Sequence, residues 1–274
     1  TGHAVRMATR LSEVLIGTFP QFRYEPTAKR IRASHDGVPV VDTSHAYLVW
    51  EPRRITPIFA VPEQDLLAGL APPSLPASDV EEHAFALRAG TAATSLDPVT
   101  GFGRHTAPGE EFDVVTPSAT VARAAFRPAD PDLAGHIVLD FAAFDWLEDD
   151  EEIIGHPRDP FHRVDIRASS AEVEVAFDGV TLARTTGAQL LYETMMPVRY
   201  YFQPTDVRLD RLVASPKRTV CPYKGEAWYC TIKTLTATGV DQVWYYPDPC
   251  PLVAPIADRL AFLGDRIEIR YSQV

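Results

Sequence analysis

The sequence predicts a mainly β protein made of two tandem, compact β-sheet domains with few short helices. Three observations carry that expectation. Residues 36–70, shifted by 142 positions, fall without a gap on 178–212, and ten of the 35 aligned positions are identical. Identity at that density, including Asp36/Asp178, Gly37/Gly179, Glu51/Glu193, Pro62/Pro204 and Leu67/Leu209, marks two copies of one unit. The 24 prolines and 15 glycines interrupt the chain so often that long helices have little room. Between these breaks lie short runs that alternate polar and apolar side chains, the pattern of a half-buried strand.

The elements follow in order. His3–Ile16 places Val5, Ala8, Leu11, Leu15 and Ile16 near one face and predicts an amphipathic leading helix. Arg30–His35, Asp36-Gly37 and Val38–Asp42 predict a hairpin, because Asp-Gly readily takes the positive φ values of a two-residue turn. Residues 71–105, rich in Pro, Ala and Ser, read as a surface insertion in the first copy. Leu133–Leu139 recurs as Ile256–Phe262, so each copy closes with the same element, of helix or strand type. The run Glu148–Glu152 reads as a solvated linker. The boundary is therefore placed near Gly155, giving an N-terminal copy 1–154 and a C-terminal copy 155–274. In the second copy Glu172–Phe177, Asp178-Gly179 and Val180–Arg184 repeat the hairpin. Gln189–Glu193, Arg199–Phe202, Ala227–Thr234, Gln242–Tyr246 and Arg266–Tyr271 read as further strands.

Composition narrows the function classes. A net charge of −11 without a basic stripe argues against nucleic acid as a partner. The three cysteines, with no secretory leader over residues 1–20, suit a reduced cytoplasmic setting. No apolar stretch approaches a membrane span, so no membrane partner is expected. A homo-oligomer is compatible with the sequence.

Four segments of the second copy gather reactive side chains at proline-bounded strand edges. They are His156–Arg163, Glu193–Tyr201, Cys221-Pro222-Tyr223-Lys224-Gly225 and Tyr245–Pro249. Cys221, beside a proline and three residues from Lys224, reads as a nucleophile or as a small buried hydrophobe. Lys224 could orient an anion, form a Schiff base, activate the thiol or stand solvated. Glu193 reads as a general acid or base, its pKa raised by an apolar strand, or as the partner of an arginine. Arg199 offers a planar fork for a carboxylate or phosphate, or for Glu193 itself. Tyr200 and Tyr201 alternate across a strand, and Tyr201 is the one expected to face a pocket. Tyr223 and Tyr246 could wall that pocket, and Asp248, His162 and Arg158 could contact substrate. The same positions also suit packing, a turn cap and loop anchoring.

These blocks together, Glu-Thr followed by Pro-Val-Arg-Tyr-Tyr, then Cys-Pro-Tyr-Lys-Gly, Tyr-Pro-Asp-Pro and a closing Arg-Ile-Glu-Ile, resemble the bacterial domain-of-unknown-function family 427. The resemblance covers residues 162–271, and the first copy resembles a divergent tandem member. It implies a compact β fold of the Mss4-like or β-tent type. Met195 departs from the family pattern, which usually has a small residue there, and Cys230 stands where an aromatic is common. The family also carries a nucleotidyltransferase label, but the chain shows neither a Gly-Ser strand-loop nor the paired carboxylates that hold Mg²⁺. Mss4-like folds often bind zinc through Cys-x-x-Cys pairs. Cys221, Cys230, Cys250, His156 and His162 lack that short spacing, so no metal is expected. No dinucleotide, P-loop or serine-hydrolase string occurs, and no cofactor is expected.

Arg199, Tyr200 and Tyr201 fall on Pro57, Ile58 and Phe59 in the gapless alignment, and the Cys-Pro-Tyr-Lys-Gly block has no first-copy equivalent. The nearest segment there, 105–110, lacks both thiol and amine. The first copy thus reads as a scaffold or lid that has lost the site. The expectation is a cofactor-independent enzyme acting on a small polar carbonyl or carboxylate compound, with Cys221, Lys224 and Glu193 catalytic. The alternatives are a non-catalytic small-molecule or peptide-binding module and a structural adaptor.

Overall fold

The computed structural model describes residues 8–77, 82, 84–85 and 95–272. The chain divides into two compact units, Thr1–Asp159 and Pro160–Val274. In unit 1 a short helix α1 (Leu11–Gly17) precedes β1 (Arg23–Pro26), β2 (Ile31–His35), β3 (Val38–Thr43), β4 (Tyr47–Trp50) and β5 (Ile58–Pro62). There follow β6 (Gly69–Ala71), β7 (Ala84–Phe85), β8 (Ser95–Leu96), β9 (Gly109–Val115), β10 (Thr120–Pro128), β11 (His136–Leu139), β12 (Asp145–Glu148) and β13 (Glu151–Glu152). Unit 2 contains β14 (Val164–Ala168), β15 (Glu172–Phe177), β16 (Val180–Thr185), β17 (Gln189–Glu193) and β18 (Arg199–Tyr201). It continues with β19 (Leu212–Cys221), β20 (Gly225–Lys233), β21 (Thr238–Tyr245), β22 (Ala261–Phe262) and β23 (Ile267–Ser272). The fold is mainly β, and its sheets are antiparallel.

The strand order repeats. Unit 1 forms a sheet β1-β4-β5-β11-β10-β9-β6 and a second sheet β13-β12-β2-β3. Unit 2 forms β14-β17-β18 and β19-β20-β21-β22, linked by a single bridge between Phe202 and Leu260, together with β16-β15-β23. Unusual backbone conformations recur as well. The hairpin turns Asp36-Gly37 (φ 50° and 76°) and Asp178-Gly179 (φ 47° and 77°) adopt the left-handed conformation that their residue types predict. Each hairpin carries a bulge at the same place, Ala33/Ser34 and Val175/Ala176. Buried Thr43 and Thr185 each donate to an aspartate, Asp65 at 2.6 Å and Asp206 at 2.7 Å.

Strand register corrects the gapless alignment. β4 pairs Tyr47 with Ala60 and Leu48 with Phe59, whereas β17 pairs Gln189 with Tyr201 and Leu190 with Tyr200. Arg199, Tyr200 and Tyr201 therefore correspond to Ile58, Phe59 and Ala60. The physical cause is a connection one residue shorter, Met196–Val198 against Arg54–Pro57, after the left-handed residues Arg53 and Met195. The bridges Val41↔Leu66 and Ala183↔Val207 keep the shorter offset, so Pro62/Pro204 and Leu67/Leu209 are sequence identities out of structural register. The recurring closing segment is a strand in both units, where Ile137 meets Val61 as Leu260 meets Phe202.

Three further expectations change. Residues 3–7 of the predicted leading helix lie outside the described residues, and within α1 Ile16 is the buried residue. The run Glu148–Glu152 is not a linker but the β12–β13 hairpin of unit 1. There Lys29 binds Glu148 and Arg32 reaches Asp150 at 2.8 Å. Part of the 71–105 insertion lies outside the described residues. Its end is tied down: Leu96 is buried, and Arg54 donates to the carbonyls of Thr100, Gly101 and Arg104.

Each unit has its own apolar core. Unit 1 buries Ile31, Val41, Leu48, Phe59, Val61, Ile137 and Trp146. Unit 2 buries Val173, Phe177, Leu182, Phe202, Val243 and Leu260 in one cluster. Leu191, Tyr201, Tyr246, Val253 and Ile256 form a second cluster beneath the site.

Candidate functional site

The site in unit 2 is built on the end of β17. Glu193 is the last residue of that strand and pairs with Val164, which brings the segment before β14 alongside it. Thr194 N donates to the Arg163 carbonyl and Arg163 N donates to Thr194 Oγ1, pinning that segment beside Glu193. His162 is thereby delivered to the carboxylate, with Nε2 at 3.0 Å from Oε1. The carboxylate can only accept, so Nε2 carries the proton and Nδ1 holds the lone pair of the neutral ring.

Lys224 arrives from the opposite side. Cys221 and Gly225 pair as the ends of β19 and β20, and Lys224 N closes the turn on Cys221 O at 3.2 Å. Gly225 has φ +99°, and a Cβ there would stand 3.1 Å from the Asp248 carbonyl oxygen, so only glycine lets the 248–250 segment press on this turn. Cys250 N in turn holds Lys224 O at 3.1 Å. The result is a clamped loop whose ammonium reaches both oxygens of Glu193 at 2.7 Å.

Glu193 and Lys224 are largely buried, with side chains 11% and 12% exposed. Burial pushes the Glu193 carboxyl up, but the hydrogen bond from His162 and the charge and hydrogen bond of Lys224 override it, holding the group down at about 2. This reverses the expected raised pKa. Held at that value, Glu193 is ionised at neutral pH and its carboxylate accepts from two donors. Its hydrogen bonds come from His162 and Lys224, not from the arginine considered from sequence. Arg199 is half-buried close by, and burial lowers its pKa while the Glu193 charge raises it.

The remaining residues fall into two groups. Tyr223 lies over His162 with ring centroids 4.6 Å apart and sets the imidazole plane. Tyr201 and Tyr246 are core side chains beneath the carboxylate rather than solvent-facing walls. Burial raises both hydroxyls, and Glu193 and Cys221 raise them further. Tyr201 accepts from Trp244 Nε1 at 3.3 Å, and Tyr200 leaves on the other face toward Tyr271, as strand alternation requires. Cys221, Cys230 and Cys250 are free thiols. Asp248 turns its side chain to solvent and contributes its backbone against Gly225. Arg158 is an exposed residue at the end of unit 1. No group of three or more metal-ligating side chains occurs among the described residues.

Unit 1 preserves more of this arrangement than its sequence indicated. Glu51, 2% exposed, accepts from His105 Nδ1 at 2.9 Å and from Thr106 N at 2.6 Å. Strand register sets Thr106 where Lys224 stands, because Phe112 and Cys230 meet their partners Ala125 and Val243 alike. By the same register His105 stands where Tyr223 does, not where His162 does, so each unit has a carboxylate–imidazole pair, but with the imidazole supplied from a different position. His105 was the residue missed. It is 54 positions from Glu51, and no local motif links them.

Residues 165–273 match the family model described as Domain of unknown function (DUF427). The match spans unit 2, with Glu193, Arg199, Cys221 and Lys224 inside it, and leaves unit 1 unmatched. No curated protein matches the chain. No helix among the described residues is long and apolar enough to cross a membrane.

Proposed function

We propose that unit 2 is a cofactor-independent enzyme acting on a small polar carbonyl or carboxylate compound at the Glu193 cluster. The observation that supports this most is one buried carboxylate holding an imidazole and an ammonium together. Glu193 orients His162 and stabilises its charged form after it takes a proton, the role a buried carboxylate plays beside a catalytic histidine. His162 replaces Glu193 as the proton-moving group. Lys224 and Arg199 hold negative charge on the substrate, and Cys221 attacks the carbonyl or exchanges a proton. Unit 1 is read as a divergent tandem copy of the same family, both units being of the Mss4-like or β-tent type. The protein is assigned to the cytoplasm, as a monomer or homo-oligomer, with no nucleic-acid or membrane partner.

The rival reading is a small-molecule or peptide-binding module. It is favoured by the mutual neutralisation of Glu193 and Lys224, which leaves neither charge idle. Incubation with a panel of 2-oxo acids, aldehydes and hydroxy acids, followed by NMR of the mixture, separates the two. Turnover that falls at least about 100-fold in His162→Gln, with a mass adduct lost in Cys221→Ser, supports the enzyme. A compound that binds and is recovered unchanged supports the module. Full activity in Cys221→Ser removes the nucleophile role alone.

A further inference from the structure

Unit 1 carries a groove of ≈ 630 Å³ on the sheet where β1, β4, β5 and β11 run in that order. Tyr47 and His136 line it, their rings stacked with centroids 4.3 Å apart and planes 18° apart. Tyr24, 44% exposed, continues the ladder 5.3 Å beyond Tyr47. Around these rings stand Ser44, His45, Glu63 and Gln64. His136 Nδ1 is shielded from solvent and has no hydrogen-bond partner among the described residues.

The charge of the lining is informative. Glu63 is already partnered in bidentate fashion by Arg127, at 2.7 and 3.2 Å, so it offers acceptor oxygens without an uncompensated charge. Neither lysine nor arginine lines the groove among the described residues, so an anion would find no counter-charge in that lining. A cation would have to compete with Arg127 for Glu63. What remains is a flat apolar surface edged by hydroxyl, amide, imidazole and carboxylate groups, which suits a neutral ring bearing several hydroxyls. Such a molecule lays its C–H face on an aromatic ring while its hydroxyls both donate and accept.

The repeat supplies an independent comparison. In structural register Tyr24, Tyr47 and His136 correspond to Ile166, Gln189 and Arg259, and Glu63 and Gln64 to Pro204 and Thr205. The scaffold therefore does not require aromatic or imidazole groups at these places. The geometry points to a binding site for a neutral, polyhydroxylated ring in unit 1, formed by Tyr47, His136, Gln64 and Glu63. It is independent of the chemistry assigned to unit 2.

Saturation-transfer NMR on the full chain tests this, with D-glucose, D-galactose and N-acetyl-D-glucosamine as probes. The expected result is saturable binding of at least one sugar in the range of about 1–10 mM. Tyr47→Ala should weaken it roughly tenfold. Gln64→Ala alters an exposed side chain and keeps the fold, and it should weaken binding as well. Absence of saturable transfer from all three sugars overturns the site, as does binding that both variants leave intact. Tighter binding of tetramethylammonium than of any sugar overturns the neutral-ligand assignment.

Discussion

Glu193 is the residue on which the site turns, and two measurable consequences follow from its surroundings. Its folded pKa lies below the ordinary carboxylate value of about 4.3. The stability it contributes is therefore complete above that value and is lost as pH falls toward about 2. The contribution is about 3 kcal/mol, and acid titration of the urea midpoint should show it as a drop between about pH 4.5 and 2. Glu193→Gln should flatten that drop. It should also cost about 3–5 kcal/mol at neutral pH, because it strands a buried ammonium. Met195 supports a prediction of opposite sign. It sits at φ +60°, where a side chain crowds the backbone. Met195→Gly should raise stability by up to about 1 kcal/mol, read as an upward shift in melting temperature.

Among the elements, the β19–β20 hairpin decides whether the cluster assembles. Its turn is held from outside by the 248–250 backbone, which approaches so closely that a methyl at Gly225 meets the Asp248 carbonyl. Gly225→Ala should destabilise the protein by about 1–3 kcal/mol, and crosslinking between Lys224 and Glu193 by a zero-length carbodiimide should fall with it. β19 itself was not legible in the sequence. Pro216 and the charges beside it break the alternation of a strand. The structure shows why they are tolerated: β19 is an edge strand, and its register shifts between Ala214 and Arg218, which frees the proline from the ladder. The Asp-Gly hairpins, in contrast, were legible to the residue, because their turn chemistry is local.

For the whole molecule, the repeat predicts separable folding. Unit 2 holds two apolar clusters made of its own side chains. A fragment of residues 160–274 should therefore unfold in one cooperative transition, with coincident far-ultraviolet and tryptophan signals. Non-coincident transitions would show that unit 2 lacks an independent core. The sequence by itself determined the β class, the hairpins and the recurrence of the closing segment, since each rests on alternation or turn preference within a few residues. It also brought Cys221, Lys224, Glu193 and Arg199 into view as an ensemble. Only the tertiary structure decided the one-residue change of register, the pairing of Glu193 with His162 and Lys224, and the pairing of Glu51 with His105. Those contacts join residues 31 and 54 positions apart through sheet register. The direction of the Glu193 pKa was decided there too. Burial and donated hydrogen bonds oppose one another, and their balance depends on distances that no local pattern encodes.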